Sequence, residues 1–297
     1  MRIKGLASLA AAFVALGCAR AAERTGPVAV APGAETFHVG ALEVVALRDA
    51  EIVVANDGGT FGVDAGPAAV AAVLKAAGAP TGHLTLDVDA LLVKGGGRIM
   101  LFDAGFGASV HGALVGSLAK AGVSPGEVTD VLLTHSHHDH TGGLVTAAGA
   151  LAFPNAVIHM SSLEWGWMET QSREAALVKL LGPKVKPFTP GLPLFPGVTP
   201  VAMSGHTPGH VGYEIVSGEY RLMDIGDTAH SAIVSLARPA WMIGYDNNPV
   251  EGRTSRMMTL ALLAKNHELV FAPHFPFPGI GHIEKAGEGY LWRPQAP

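Results

Sequence analysis

Four imidazoles and a carboxylate fall within six residues at His135-Ser-His137-His138-Asp139-His140. Burying that many polar groups without a partner is costly, and a solvated loop has no use for such a concentration of imidazole, so the spacing points to metal coordination. Residues two apart in an extended segment face the same way, which aims His135 and His137 together. The turn that follows brings Asp139 and His140 toward the same point from another direction. Two imidazoles and a third from elsewhere make a three-ligand site with an open position for water, the pattern of catalytic zinc. Asp139 and His140 then supply half of a second site. Further ligands are offered by His206 in Ser204-Gly-His-Thr-Pro-Gly-His210, by Asp227 in Met223-Asp-Ile-Gly-Asp-Thr228 and by His274 in Ala272-Pro-His-Phe-Pro276. Cys18 is the single cysteine, so the ligands are nitrogen and oxygen, a set that suits zinc and also accepts manganese, iron or cobalt.

Each candidate ligand stands where an apolar strand-like run gives way to a Gly- or Pro-bearing loop, the place where a rigid scaffold presents functional groups. Strand-like runs are read at Leu42–Leu47, Ala90–Val93, Ile99–Asp103, Val128–Thr134, Val157–Met160, Tyr213–Val216, Arg221–Met223 and Val270–Pro273, with a hairpin turn at Lys94–Arg98. Helices are expected at Ala68–Ala77, Ala108–Lys120, Leu163–Leu181 and Glu251–Lys265. Proline-rich Lys186–Pro200 carries Phe188, Leu192, Leu194 and Phe195, which argue for an ordered loop packed on the body. This organisation implies one layered α/β catalytic domain over residues 37–297, preceded by a flexible lead-in at 22–36.

Residues 1–21 read as an export signal. Arg2 and Lys4 precede an apolar run too short to span a bilayer, and Ala19 and Ala21 are spaced for a signal peptidase. Leu16-Gly17-Cys18 offers a lipid-attachment site as the alternative. Removing the segment deletes Arg2, Lys4 and Arg20 but no acid, which takes the formal charge from −5 to −8. A chain so charged is disfavoured as a nucleic-acid binder. The expectation is an exported, periplasmic or secreted enzyme with a small-molecule substrate, no stable membrane insertion beyond a lipid anchor at Cys18, and a homodimer as the default oligomer.

The pattern His135-x-His137-x-Asp139-His140, followed by His206, Asp227 and His274, resembles the metallo-β-lactamase superfamily. Phe102-Asp103-Ala-Gly105 resembles its early Asp-x-Gly turn. The resemblance implies a four-layer αβ/βα sandwich, two mixed β-sheets flanked by helices, with the metals at one edge of the sheets. It implies two divalent metal ions, zinc first. His135, His137 and His206 would hold one, Asp139, His140 and His274 the other, and Asp227 would bridge them, with Asp103 hydrogen-bonded to a ligand histidine. It further implies hydrolysis by a hydroxide shared between the metals, with Asp227 orienting it and Asp139 able to accept or return a proton.

Gly226-Asp-Thr-Ala-His230, Pro273–His282 and Gly289-Tyr-Leu-Trp292 resemble the methyl parathion hydrolase branch, which implies a phosphotriester, lactone or aryl ester substrate. A quorum-signal lactonase or a β-lactamase is the alternative within hydrolases. An iron oxidoreductase on the same fold, or a binding protein with a vestigial site, comes from outside that class. Phe106 and Phe275, next to Asp103 and His274, are expected to wall an apolar substrate pocket, with Trp165, Trp167 and Trp241 as further candidates. His138 is expected to face away from the cluster, His210 to hydrogen-bond at its turn, and His230 and His282 to pack at a helix start or in a loop. His38, His83, His111, His159 and His267 have no spacing partner.

Overall fold

The computed structural model describes residues 25–295. The export-signal reading and Cys18 lie outside the described residues.

Among these residues the chain forms two mixed sheets. The first contains β1 (Gly26–Ala29), β2 (Ala34–Val39), β3 (Leu42–Ala55), β4 (His83–Gly95), β5 (Arg98–Phe102), β6 (Asp130–Leu132), β7 (Val157–Ser161) and β8 (Val185–Phe188). Its order is β1-β3-β4-β5-β6-β7-β8, with β2 also paired to β3, and β5 through β8 run parallel. The second contains β9 (Val198–Ala202), β10 (Val211–Ser217), β11 (Tyr220–Asp224), β12 (Leu269–Phe271), β13 (Ile280–Ala286) and β14 (Gly289–Pro294), in the order β14-β13-β12-β11-β10-β9, with β11 and β12 parallel. The helices are α1 (Pro67–Ala76), α2 (Leu114–Lys120), α3 (His138–Thr141), α4 (Ser162–Thr170), α5 (Ala175–Leu181), α6 (Val234–Ala237) and α7 (Pro249–Asn266).

The layering follows from strands that are apolar on both faces. Val44, Ala46, Leu91 and Val93 pack across to Val211, Ile215, Leu222 and Phe271 of the second sheet. Their neighbours Val45, Leu47, Ala90 and Leu92 face outward, where Leu114 and Leu118 of α2, Met168 of α4 and Leu181 of α5 cover them. On the far side, Leu260 and Leu263 of α7 cover Met223 and Val270. The result is a helix–sheet–sheet–helix sandwich, the αβ/βα arrangement expected from the motif.

Three expectations need correction. The segment read as a flexible lead-in carries strands: Gly26–Ala29 pairs with Ala50–Val53, and Ala34–Val39 pairs with Leu42–Leu47. These residues close the otherwise open edge of the long β3, and Phe37 and Val39 are buried there. The helix read at 108–120 is a 3₁₀ turn at Gly107–Val110 followed by α2, and that at 163–181 breaks near Gln171 into α4 and α5. Proline-rich 186–200 does pack on the body, as expected, with Phe188 buried and Leu194 and Phe195 against the intersheet core, although Leu192 is exposed. No helix among the described residues is long and apolar enough to cross a membrane.

Candidate metal centre

The polar residues gather at the C-terminal ends of strands, where α/β sheets place their sites. Asp103 follows β5, His135 through His140 follow β6 and open α3, His206 lies beyond β9, Asp227 follows β11, and His274 follows β12. The first sheet therefore delivers four of the seven proposed ligands and the second sheet three.

These ligands converge in two groups. His135, His137, His206 and Asp227 form one, and Asp139, His140, His274 and Asp227 the other; within each, the ligand atoms lie within 4.8 Å of one another. Asp227 belongs to both and divides its oxygens between them. Its Oδ1 is 3.1 Å from His140 Nε2 and 3.0 Å from His274 Nε2, while its Oδ2 is 3.2 Å from His206 Nε2 and 3.7 Å from His135 Nε2. Asp139 Oδ2 stands 3.6 Å from both His140 Nε2 and His274 Nε2.

The far nitrogens are tied down, which fixes how each ring is presented. His140 Nδ1 bonds Asp103 Oδ2 at 2.7 Å, His274 Nδ1 donates to the Asp87 carbonyl at 2.7 Å, His206 Nδ1 bonds Asp246 Oδ1 at 3.2 Å, and His135 Nδ1 meets Thr134 Oγ1 at 3.0 Å. All four rings thus turn Nε2 inward. His137 is the exception: its Nδ1 lies 2.9 Å from His206 Nε2, so Nδ1 is its inward atom. Asp103 itself accepts from the Thr134 N–H and hydroxyl at 2.8 Å each and holds a left-handed φ of 59°, a strained conformation for a residue with a side chain.

The electrostatics follow from crowding imidazoles around one carboxylate. Burial opposes charge on Asp227, but His140, His274 and His135 together hold its pKa well below the usual carboxylate range. Burial pulls His206 down, yet Asp227 and Asp246 overcome it and raise the ring to about 9. Burial and the neighbouring His206 push His137 to about 3, and the same two causes push His210 to about 3.

Polar atoms at the heart of this cluster lack partners. His135 Nε2, His140 Nε2, His274 Nε2 and Asp227 Oδ1 are buried with no hydrogen bond, a rare and costly condition. Unpaired inward nitrogens on rings whose outer nitrogens are already bonded are what a divalent cation requires of its ligands. The residues present therefore fit two such ions.

The sequence profile of the metallo-beta-lactamase superfamily matches residues 84–274, a span that holds every one of these ligands. The chain belongs to the metallo-beta-lactamase superfamily. No curated protein matches the chain. Among solved structures, AidC, a dizinc quorum-quenching lactonase seen with a product N-hexanoyl-L-homoserine, is 29% identical with a TM-score of 0.84; the match covers 89% of this chain and 98% of that one. The hydrolase AbOPH of the beta-lactamase superfamily is 29% identical with a TM-score of 0.81, covering 90% and 98%. A quorum-quenching N-acyl homoserine lactone lactonase at 17% identity and a TM-score of 0.58, covering 83% and 100%, shares the fold. As a superfamily member, this protein is a metallo-hydrolase whose sites suit divalent ions.

A cleft of about 540 Å³ opens onto the superfamily site, and Ile52, Leu86 and Phe106 are among the residues that line it. Phe106 sits where expected. Phe275 does not: it lies on the turn past β12 closed by its own N–H on the Ala272 carbonyl at 3.1 Å, and it is fully buried in the core behind the second sheet, edge-on to Trp292. Trp165 packs on the core beneath α4, and Trp241 on α1, so neither lines this cleft. Trp167 reaches the site only through an edge contact with the His137 ring at 6.4 Å.

The remaining histidines divide. His210 fills its expected role, bonding the Met203 carbonyl through Nδ1 and accepting the Asp227 N–H through Nε2. His138 faces the cleft beside Phe106 rather than joining either ligand group. His282 bonds the Glu268 carbonyl, away from the site. His230 belongs to the site and not to loop packing alone: its Nε2 is 3.1 Å from Asp227 Oδ2, its ring stacks on His274 at 5.3 Å, and its Nδ1 is unpaired. Its place three residues after Asp227 was the available signal. Tyr245, beside His230 on the cleft, and the Asp246–Arg256 pair had no motif to announce them.

Proposed function

We propose that the protein is a dinuclear, zinc-dependent hydrolase of small neutral ester-like bonds, with a lactone carrying an acyl substituent as the first substrate to test and aryl esters and phosphotriesters after it. The observation that carries the reading is the division of Asp227 between two ligand groups, with His135 Nε2, His140 Nε2, His274 Nε2 and Asp227 Oδ1 buried and without a hydrogen bond. The likeness to the dizinc lactonase AidC supports the choice of zinc and of lactones. The Gly226–His230 and Pro273–His282 segments support a place in the methyl parathion hydrolase branch. Export of the mature chain, as Arg2, Lys4 and the apolar run after them suggest, is part of the same proposal.

Two bound cations would supply Lewis acidity and bring the pKa of water toward neutrality. The chain's own residues do the rest. Asp227 sets the spacing of the two groups through one oxygen each. Asp139, whose side chain keeps 18% of its surface exposed, is the carboxylate placed to accept a proton from, or return it to, a group in the cleft. Ile52, Leu86 and Phe106 hold the apolar part of a substrate and exclude water from the polar floor.

Elemental analysis of the mature protein, with turnover of lactone, p-nitrophenyl ester, phosphotriester and β-lactam on the same sample, tests the reading. Two zinc equivalents with lactone or ester turnover that a chelator abolishes is the expected result. Preferential lactam turnover would reorder the substrates, and one equivalent of iron would overturn the class.

A further inference from the structure

Glu164, in the first turn of α4, is fully buried 28 residues away in sequence from the nearest residue it binds in the histidine motif. Ser161 caps this helix by accepting the Glu164 N–H at 3.1 Å, so Ser161-x-x-Glu164 has the spacing of a capping box. The carboxylate turns elsewhere. Its Oε1 accepts the N–H of Ser136 at 2.9 Å and the Ser136 hydroxyl at 2.6 Å. Its Oε2 accepts the Thr207 hydroxyl at 2.7 Å and the Gly209 N–H at 3.0 Å. Ser161 adds a bond from its hydroxyl to the Gly209 carbonyl at 2.6 Å. The approach is so close that a Cβ on Gly209 would lie 2.1 Å from the Glu164 nitrogen.

Ser136 stands between His135 and His137, and Thr207 follows His206. One carboxylate therefore joins the loop that leaves the first sheet to the loop that leaves the second, at the residues flanking all three histidines of one ligand group. The other group has separate supports: Asp103 on His140 and the Asp87 carbonyl on His274.

We propose that Glu164 is the positioning residue of the His135–His137–His206 site. It holds the two loops at the separation that lets three imidazoles share one cation, and it does so without touching cation or substrate. Four donors converging on two oxygens match a carboxylate and not an amide, since an amide nitrogen would face donors with a donor. The inference rests on the metal-centre reading above.

The test is a zinc titration of the metal-free full-length mature protein against a chromogenic chelator, repeated with cobalt to read the absorption of each site, on wild type, Glu164→Gln, Ser136→Ala and Thr207→Val. Wild type is expected to show two binding events. Glu164→Gln is expected to weaken one of them by about 10- to 100-fold, the usual scale for partners behind the ligands, and to change that site's cobalt spectrum, with the other event unmoved. Ser136→Ala and Thr207→Val keep the carboxylate, are expected to weaken the same event by less, and carry the test if Glu164→Gln does not fold. Unchanged affinities in all variants, or equal losses at both events together with a lower melting temperature of the metal-free protein, would overturn the proposal. Absence of metal binding by wild type would instead overturn the metal-centre reading.

Discussion

The two ligand groups that share Asp227 are braced in different ways. In the Asp139–His140–His274 group, the braces are short and come from the first sheet: Asp103, at the end of β5, bonds His140 at 2.7 Å, and the Asp87 carbonyl of β4 bonds His274 at 2.7 Å. In the His135–His137–His206 group, the Asp246 brace on His206 is longer, at 3.2 Å, and stands on a loop rather than a strand. That loop is fastened by Arg256 of α7, which bonds Asp246 Oδ2 at 3.3 Å, the Pro239 carbonyl at 2.9 Å and the Trp241 carbonyl at 2.8 Å, all out of water. One half of the centre thus inherits its rigidity from the sheet, and the other from a buried ion pair together with the Glu164 carboxylate. The difference teaches that the second half depends on a loop held in place by one helix side chain, and is the half more open to disruption from a distance.

The largest effect expected is from Asp227→Ala, which removes the residue both halves share. Metal content should fall at both sites, and kcat by about 10³-fold or more, the scale of losing a principal electrostatic group. Full retention of one metal would show that the halves are less coupled than the shared carboxylate implies. Next comes Arg256→Met, which leaves Asp246 buried with His206 as its remaining side-chain partner. Breaking one partner of a buried pair costs about 3–5 kcal/mol, so thermal and urea unfolding should shift accordingly. The metal event tied to His206 should weaken and the other should not.

Asp246→Asn and Asp103→Asn form a matched pair. Each should weaken its own half by about 10- to 100-fold, with a smaller loss in the other half from Asp103→Asn because Thr134 joins Asp103 to His135, readable as two separable events in a chelator competition. Equal losses at both sites from either variant would erase the distinction between the halves.

The smallest effect concerns the metal-free protein and its pH dependence. His206, raised to about 9, stabilises the fold fully below its unfolded value near 6.5, and that contribution is lost as pH climbs through 9. His210, depressed to about 3, cannot take the proton that the unfolded chain takes, so stability also falls as pH drops from 6.5 toward 3. Urea midpoints after chelation should therefore peak near neutrality, and His210→Asn should flatten the acid limb. A monotonic profile would contradict this assignment of charges.

How much of this was legible beforehand depended on whether a role is written locally. His135, His137, Asp139 and His140 lie in one short run, and His206, Asp227 and His274 each follow an apolar strand, so periodicity and turn residues exposed them. Asp103 was legible through its Gly-bearing turn. Asp246, Arg256 and His230 were not: Asp246 gains its meaning only when its loop closes on His206, 40 residues away, Arg256 only by fastening that loop, and His230 only when its ring folds back on its own neighbour. Phe106 and Phe275 show the limit of adjacency: both follow a functional residue closely, but only the backbone direction decides that one meets the cleft and the other the core. The small, polar and β-branched residues of 26–39 gave no strong strand period, and pairing to β3, a tertiary fact, is what orders them.

The central claim is that one carboxylate holds two cations for hydrolysis. The most direct test is a metal titration of the chelated protein in which lactone hydrolysis is measured at each increment, in wild type and in Asp227→Asn. The account expects two equivalents bound by wild type, hydrolysis that reaches its maximum only as the second is filled, and loss of both features in the variant. Saturation at one equivalent with full hydrolysis, or two tightly bound equivalents in Asp227→Asn, would contradict it.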